Sequence, residues 1–272
     1  METKSTEVPI EIDTEVNQAR TWDGSEVRCD ACAHRALLAE SRCRLRMACV
    51  EDRYARRIDR FFEWNPELAN AGLNHPYFEV RAVAAKYADP GQLPRLLDDP
   101  DETVRWSAAL RLPEAFLMRL TRDPHREVRI RVAARLDPAD LLLMMKDSDY
   151  YVRQIVARRL PGHLLKLMVR DGEPEVRRIV ASRIEPAWIG PLTRDPDDAV
   201  RLEAVQRLLP HQLAEFDCDR DWRVRYEVAR RMSIRLVGVM LRDSDPMVRE
   251  VAAARLEEAK VAPRAGAAQE RA

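Results

Sequence analysis

Residues 99–112, DPDETVRWSAALRL, decide the fold. Asp99 reads as an N-cap, Pro100 as the first helical residue and Glu102 as the capping-box partner. Val104, Ala108 and Leu112 then recur every four residues and form one apolar stripe. The stretch predicts an α-helix of about three turns, ended at Pro113, where a proline cannot continue it.

The Val104-Arg105 dipeptide is one of eight. It recurs at Val80-Arg81, Val128-Arg129, Val152-Arg153, Val176-Arg177, Val200-Arg201, Val224-Arg225 and Val248-Arg249, always 24 residues apart, with no insertion. An aspartate stands five residues before the valine from Asp99 to Asp243, and His75 holds that place in the first copy. Between successive helices lie about ten residues whose apolar anchors are three apart, as in Leu117 and Leu120, Leu141 and Met144, and Leu165 and Met168. That spacing suits a 3₁₀ turn or a short helix. One copy alone leaves its stripe bare, so copies must stack. The expected fold is an all-α, two-layer solenoid of eight 24-residue repeats over residues 65–258, α-helix alternating with 3₁₀ or short helix.

Outward from the array, residues 50–64, VEDRYARRIDRFFEW, read as an amphipathic helix with Ile58, Phe61 and Phe62 apolar, placed to cap the first repeat. Residues 1–28 read as a polar, flexible segment and 259–272 as a disordered tail. The opening METKSTEVPIEIDTEV carries no apolar core of a signal peptide, so the expected compartment is cytoplasmic. Formal net charge is zero although about a third of the residues are charged, which argues against long-range attraction to nucleic acid or an anionic membrane. The arginine after each valine is expected to pair with the recurrent aspartate as a structural ladder. A second arginine series seven residues after the valine, from Arg111 to Arg255, is expected on the outer side of the helix. No phosphate-binding loop, nucleophile elbow or zinc-protease motif occurs, so no enzymatic chemistry is expected.

Four of the five cysteines, Cys29, Cys32, Cys43 and Cys49, fall within 21 residues in the spacing C-x2-C-x10-C-x5-C; Cys218 stands apart and reads as a surface thiol. Such concentration points to metal ligation. Cys43 and Cys49 are about 240° apart on an ideal helix, so a bend must separate them. The spacing leaves a Cys₄ zinc site and a Cys₄ iron–sulfur cluster both open.

The repeat pattern L-x-x-L-x-x-D-x-D-x-x-V-R-x-x-V-A-x-R-L resembles the leucine-rich repeat variant family over residues 66 to 258. The resemblance implies a right-handed superhelix. A cysteine segment directly before such an array further resembles the variant that carries a 4Fe–4S cluster, with Cys29, Cys32, Cys43 and Cys49 (the segment 29–64) as its ligands. The expected function is a redox-active or sensing cluster joined to a solenoid that offers a surface for a protein partner, a redox partner among them. A scaffold closed by structural zinc is the alternative.

Overall fold

In the computed structural model, which describes residues 18–261, the chain is helical, and the described residues contain no strand, only two isolated bridges. Its contacts divide it into two units at Asp137/Pro138. The first contains α1 (Arg35–Ala39), α2 (Ala55–Trp64), α3 (Ala69–Gly72), α4 (Phe78–Ala84), α5 (Glu102–Ala109), α6 (Glu114–Leu117) and α7 (Arg126–Arg135). The second contains α8 (Tyr150–Arg159), α9 (Pro174–Arg183), α10 (Asp198–Val205), α11 (Trp222–Arg231) and α12 (Pro246–Val261). Within the first unit α2 packs on α4, α4 on α5 and α5 on α7; within the second each helix packs on the next. Short 3₁₀ segments such as Pro90–Leu96, Gly162–Met168 and Pro210–Phe216 intervene, and each packs against the helix that follows. No helix among the described residues is long and apolar enough to cross a membrane.

The burial confirms the register. All eight valines of the Val-Arg pairs are 0 % exposed, and the anchors Leu93, Leu117, Leu141, Leu165 and Leu213 of the short segments between the repeat helices are equally buried. In the cap, Ile58, Phe61 and Phe62 of α2 turn inward, as the amphipathic pattern predicts. Gly72 lets α3 approach that cap: a Cβ there would lie 2.6 Å from the Phe62 ring. At the far end α12 runs to Val261, past the start of the expected tail, whose remainder lies outside the described residues.

Two expectations are corrected. Asp99 is not the N-cap of α5; Asp101 is, accepting from the Thr103 N–H at 2.8 Å, so Pro100 lies outside the helix and Glu102 opens it. Asp99 instead accepts from the Asp101 N–H at 3.0 Å and takes the Arg81 fork, Nε at 2.7 Å and Nη2 at 2.8 Å. A carboxylate has room for both, and a bidentate charged pair outcompetes a single cap bond. The arrangement repeats in Arg105–Asp123 in the first unit, and in Arg153–Asp171, Arg177–Asp195, Arg201–Asp219 and Arg225–Asp243 in the second. His75, which replaces the aspartate in the first copy, keeps half the role: its Nδ1 accepts from the Tyr77 N–H at 3.1 Å.

The second arginine series reaches back to the preceding repeat rather than standing free on the outer side, even where the residue is exposed, as Arg183 is. Arg111 Nη1 donates to the carbonyls of Ala85 and Ala88, Arg183 to those of Ala157 and Leu160, and Arg255 to those of Ala229 and Met232. Each guanidinium thus closes the C-terminal end of the preceding repeat helix, where carbonyls lack helical partners and the helix dipole is negative.

Replacing Val152 by Asp puts an uncompensated charge at a site with no exposure and should lower the unfolding free energy by about 3 kcal/mol or more, measured by urea denaturation. A parent-like midpoint would show the repeat register to be wrong.

Arg177→Ala should cost about 2–3 kcal/mol by leaving buried Asp195 without its fork. Burial pushes the Asp195 carboxyl up, but the Arg177 fork, the Asp197 N–H and nearby guanidinium charge outweigh it and hold the pKa below the usual value. Asp99, Asp219 and Asp243 are likewise lowered. A lowered carboxyl pKa stabilises the fold above the unfolded value of about 4, and the contribution is lost as pH falls through the folded value. Stability should therefore drop below about pH 4, and less steeply in Arg177→Ala.

Candidate metal centre

The cysteine segment is shaped by turns rather than by long helices. Residues 18–28 are not a free segment: Arg20 bridges Glu26, the Val27 N–H donates to Ala19, and Gly24 at φ 90° closes the turn. This hairpin is tied down by the Arg53 N–H on the Arg20 carbonyl at 2.9 Å and by Arg57 Nη1 on the Gln18 carbonyl at 3.1 Å. It delivers Cys29. Cys32 precedes α1, where its carbonyl accepts from the Arg35 N–H and its Sγ from the His34 N–H at 3.4 Å.

After α1 the chain reverses at Ser41, at φ 57°, and the N–H groups of Arg42 and Cys43 both reach the Leu37 carbonyl. Arg44 and Ala48 then exchange two hydrogen bonds, at 2.9 and 2.8 Å, with Arg46 at φ 63° in the turn. A left-handed non-glycine residue costs about 1–2 kcal/mol, so the turn is held by its surroundings. In an antiparallel pairing the residues flanking a bridged pair stand opposite one another. The bridge therefore sets Cys43 against Cys49, which is the bend that their separation demanded.

Cys29, Cys32, Cys43 and Cys49 are all half-buried and line one cavity. Val27, Ala48, Val50 and Phe61 make its apolar wall, with His34 packed 5.3 Å from the Phe61 ring. Burial pushes the Cys32 and Cys43 thiols up, and neighbouring thiols add to it. Cys49 is pushed up to about 12, chiefly by burial, with the charge of Asp52 adding to it. Thiolates ligate, so a metal entering must displace these protons. Among the described residues no three His, Cys, Asp or Glu side chains are gathered as a site for a single metal ion. Four soft sulfur donors around an apolar cavity do fit a cluster of several irons. Cys218 is exposed, in the second unit, and takes no part.

Residues that the spacing did not single out hold this framework. Asp52 is fully buried, paired with Arg57 at 2.8 Å and accepting from the Tyr54 N–H. Asn65, also fully buried, donates through Nδ2 to the carbonyls of Arg42 and Phe61, joining the cysteine loop to the end of α2. Tyr77 Oη donates to the Arg53 carbonyl from the start of α4.

A solved structure, of a leucine-rich repeat variant with a novel repetitive structural motif, is 40 % identical to this chain, covers 84 % of it and 98 % of its own length, and superposes with a TM-score of 0.81. The chain belongs to the leucine-rich repeat variant family. Residues 19–71, a stretch that includes residues 29–64, also match a protein-family model described as the FeS4 cluster of such variants. A curated relative, an uncharacterized 27.7 kDa protein in the nifB 3′ region of Rhodobacter capsulatus, is 52 % identical over 94 residues. That match takes in 35 % of this chain, and the chain spans 38 % of the length of that relative.

Serine at any one of Cys29, Cys32, Cys43 or Cys49 should abolish or convert metal loading, since a hydroxyl is a harder, poorer ligand for iron. Cys218→Ser should load normally. Iron and sulfide analysis of anaerobically purified variants gives the answer, and loss of loading in Cys218→Ser would break the assignment.

Proposed function

We propose that this variant is an iron–sulfur protein in which Cys29, Cys32, Cys43 and Cys49 hold a 4Fe–4S cluster, joined to a repeat array that binds a protein partner. One observation carries the reading: the four thiols line a single apolar cavity inside the stretch matched by the FeS4 family model. When bound, such a cluster supplies one-electron redox chemistry. The protein's own residues bring the thiols together, exclude water with Val27, Ala48, Val50 and Phe61, and anchor the loop through Asn65 and Asp52.

The loop is built onto the first repeat. Tyr77 and His75, at the start of α4, reach Arg53 and Glu51 just beyond Cys49, with His75 Nε2 3.9 Å from the Glu51 carboxylate. A change of charge at the thiols is therefore felt at the first repeat, which supports a redox or sensing role read out through the array. The reading assigns no catalytic residue and a cytoplasmic setting, and it needs neither nucleic acid nor a membrane.

Anaerobic purification tests it. The expected product is brown, holds iron and inorganic sulfide in equal amounts, and bleaches on reduction while its helical circular dichroism persists. A colourless protein with one tightly bound zinc would overturn the cluster and favour the zinc-closed scaffold.

A further inference from the structure

The hairpin that carries Cys43 and Cys49 at its base presents an unusual surface at its tip. Leu45 and Met47 there are 38 % and 37 % exposed, and Leu38 of α1, across the cavity mouth, is 41 % exposed. Arg35, Arg44 and Arg46 alternate with them, all exposed, and among the described residues none of the three has a side-chain hydrogen bond or ion pair. This is unlike the two recurrent arginine series of the repeats, which are taken up by aspartates and helix-end carbonyls. Nearby carboxylates are already engaged: Asp30 by Arg28, and Glu40 and Glu67 by Arg42. A small apolar centre with unopposed positive charge thus surrounds the opening of the thiol cavity, in a chain whose formal net charge is zero.

We propose that this mouth is the docking surface for a redox protein with an acidic face, from which one electron passes to the cluster. The inference rests on the cluster reading above. The occupant follows from charge complementarity: three unpaired guanidinium groups call for carboxylates, and the leucines and methionine call for a small apolar contact between them. Location adds to this, because the same hairpin carries the patch at its tip and two of the four thiols at its base. No bond forms or breaks; a reduced acidic iron–sulfur protein loses one electron and the cluster gains it.

Reduced plant-type [2Fe–2S] ferredoxin is a suitable acidic probe, mixed anaerobically with the holoprotein while bleaching is followed by stopped flow. The second-order rate constant should fall about tenfold or more between about 20 and about 300 mM salt, as screening removes the steering. A zwitterionic viologen, which carries no net charge, provides the reference rate. In the double variant Arg35→Glu, Arg46→Glu the ratio of ferredoxin rate to viologen rate should fall about tenfold at low salt. Gallium-substituted ferredoxin, which cannot transfer electrons, should shift the nuclear magnetic resonances of the hairpin in the parent and not in the variant. A brown protein that viologen reduces normally, with an unchanged rate ratio and a flat salt profile, would overturn the docking surface and leave the cluster intact. Pelleting with phosphatidylserine vesicles, without any response to gallium ferredoxin, would overturn it in favour of a lipid surface. A protein that holds no cluster would instead fail the reading on which the inference stands.

Discussion

The fork between an arginine and the aspartate of the following repeat is the contact on which each unit depends. Its geometry is nearly invariant, with Nε–Oδ2 between 2.7 and 2.8 Å in every pair from Arg81–Asp99 to Arg225–Asp243 that lies within one unit. The same aspartate accepts a backbone N–H two residues on, and Nη1 of the same arginine binds carbonyls of its own repeat, as Arg153 binds Asp147. One charged pair therefore fixes the loop between layers and the distance to the next helix. Buried ion pairs add less to stability than their Coulomb energy suggests, but they penalise misregister strongly, because a slipped repeat would strand a desolvated carboxylate. An apolar stripe of valine and alanine would tolerate small slips; the fork does not.

The second arginine series solves a different problem. Stacked short helices end in carbonyls that no further turn satisfies. Arg111 and its equivalents donate to those carbonyls from the next repeat, which also sets positive charge against the negative end of the helix. In the first copy Tyr87 holds this place, and its Oη donates to Asp59 of α2, so the cap is bonded through the position that other repeats use among themselves.

The cysteine segment has almost no regular structure of its own, and its order is borrowed. Ser41 and Arg46 take left-handed conformations that glycine would adopt more readily, while Asn65, Asp52 and Arg57 hold the loop against α2 from outside. Its thiols are kept together in an apolar pocket that favours the protonated form, so ligands are gathered at a cost that metal binding offsets. The stable repeat array gives this loop a fixed floor.

The sequence by itself determined the repeat period, the buried valines and leucines, the inward face of α2 and the set of four clustered cysteines. These follow from spacing, since burial on a helix is periodic and a dense cysteine cluster is seldom incidental. Tertiary structure decided which aspartate caps the helix, where the arginines of the Arg111 series point, that residues 18–28 belong to the cap, and that the thiols face one cavity. Each of those turns on the partner a polar group finds. Asp99 meets Arg81 from 18 residues earlier, and Arg111 meets carbonyls 23 and 26 residues back, across stacked repeats. A hydrogen bond is won by whichever donor stands nearest in space, and spacing along the chain records only which donors exist.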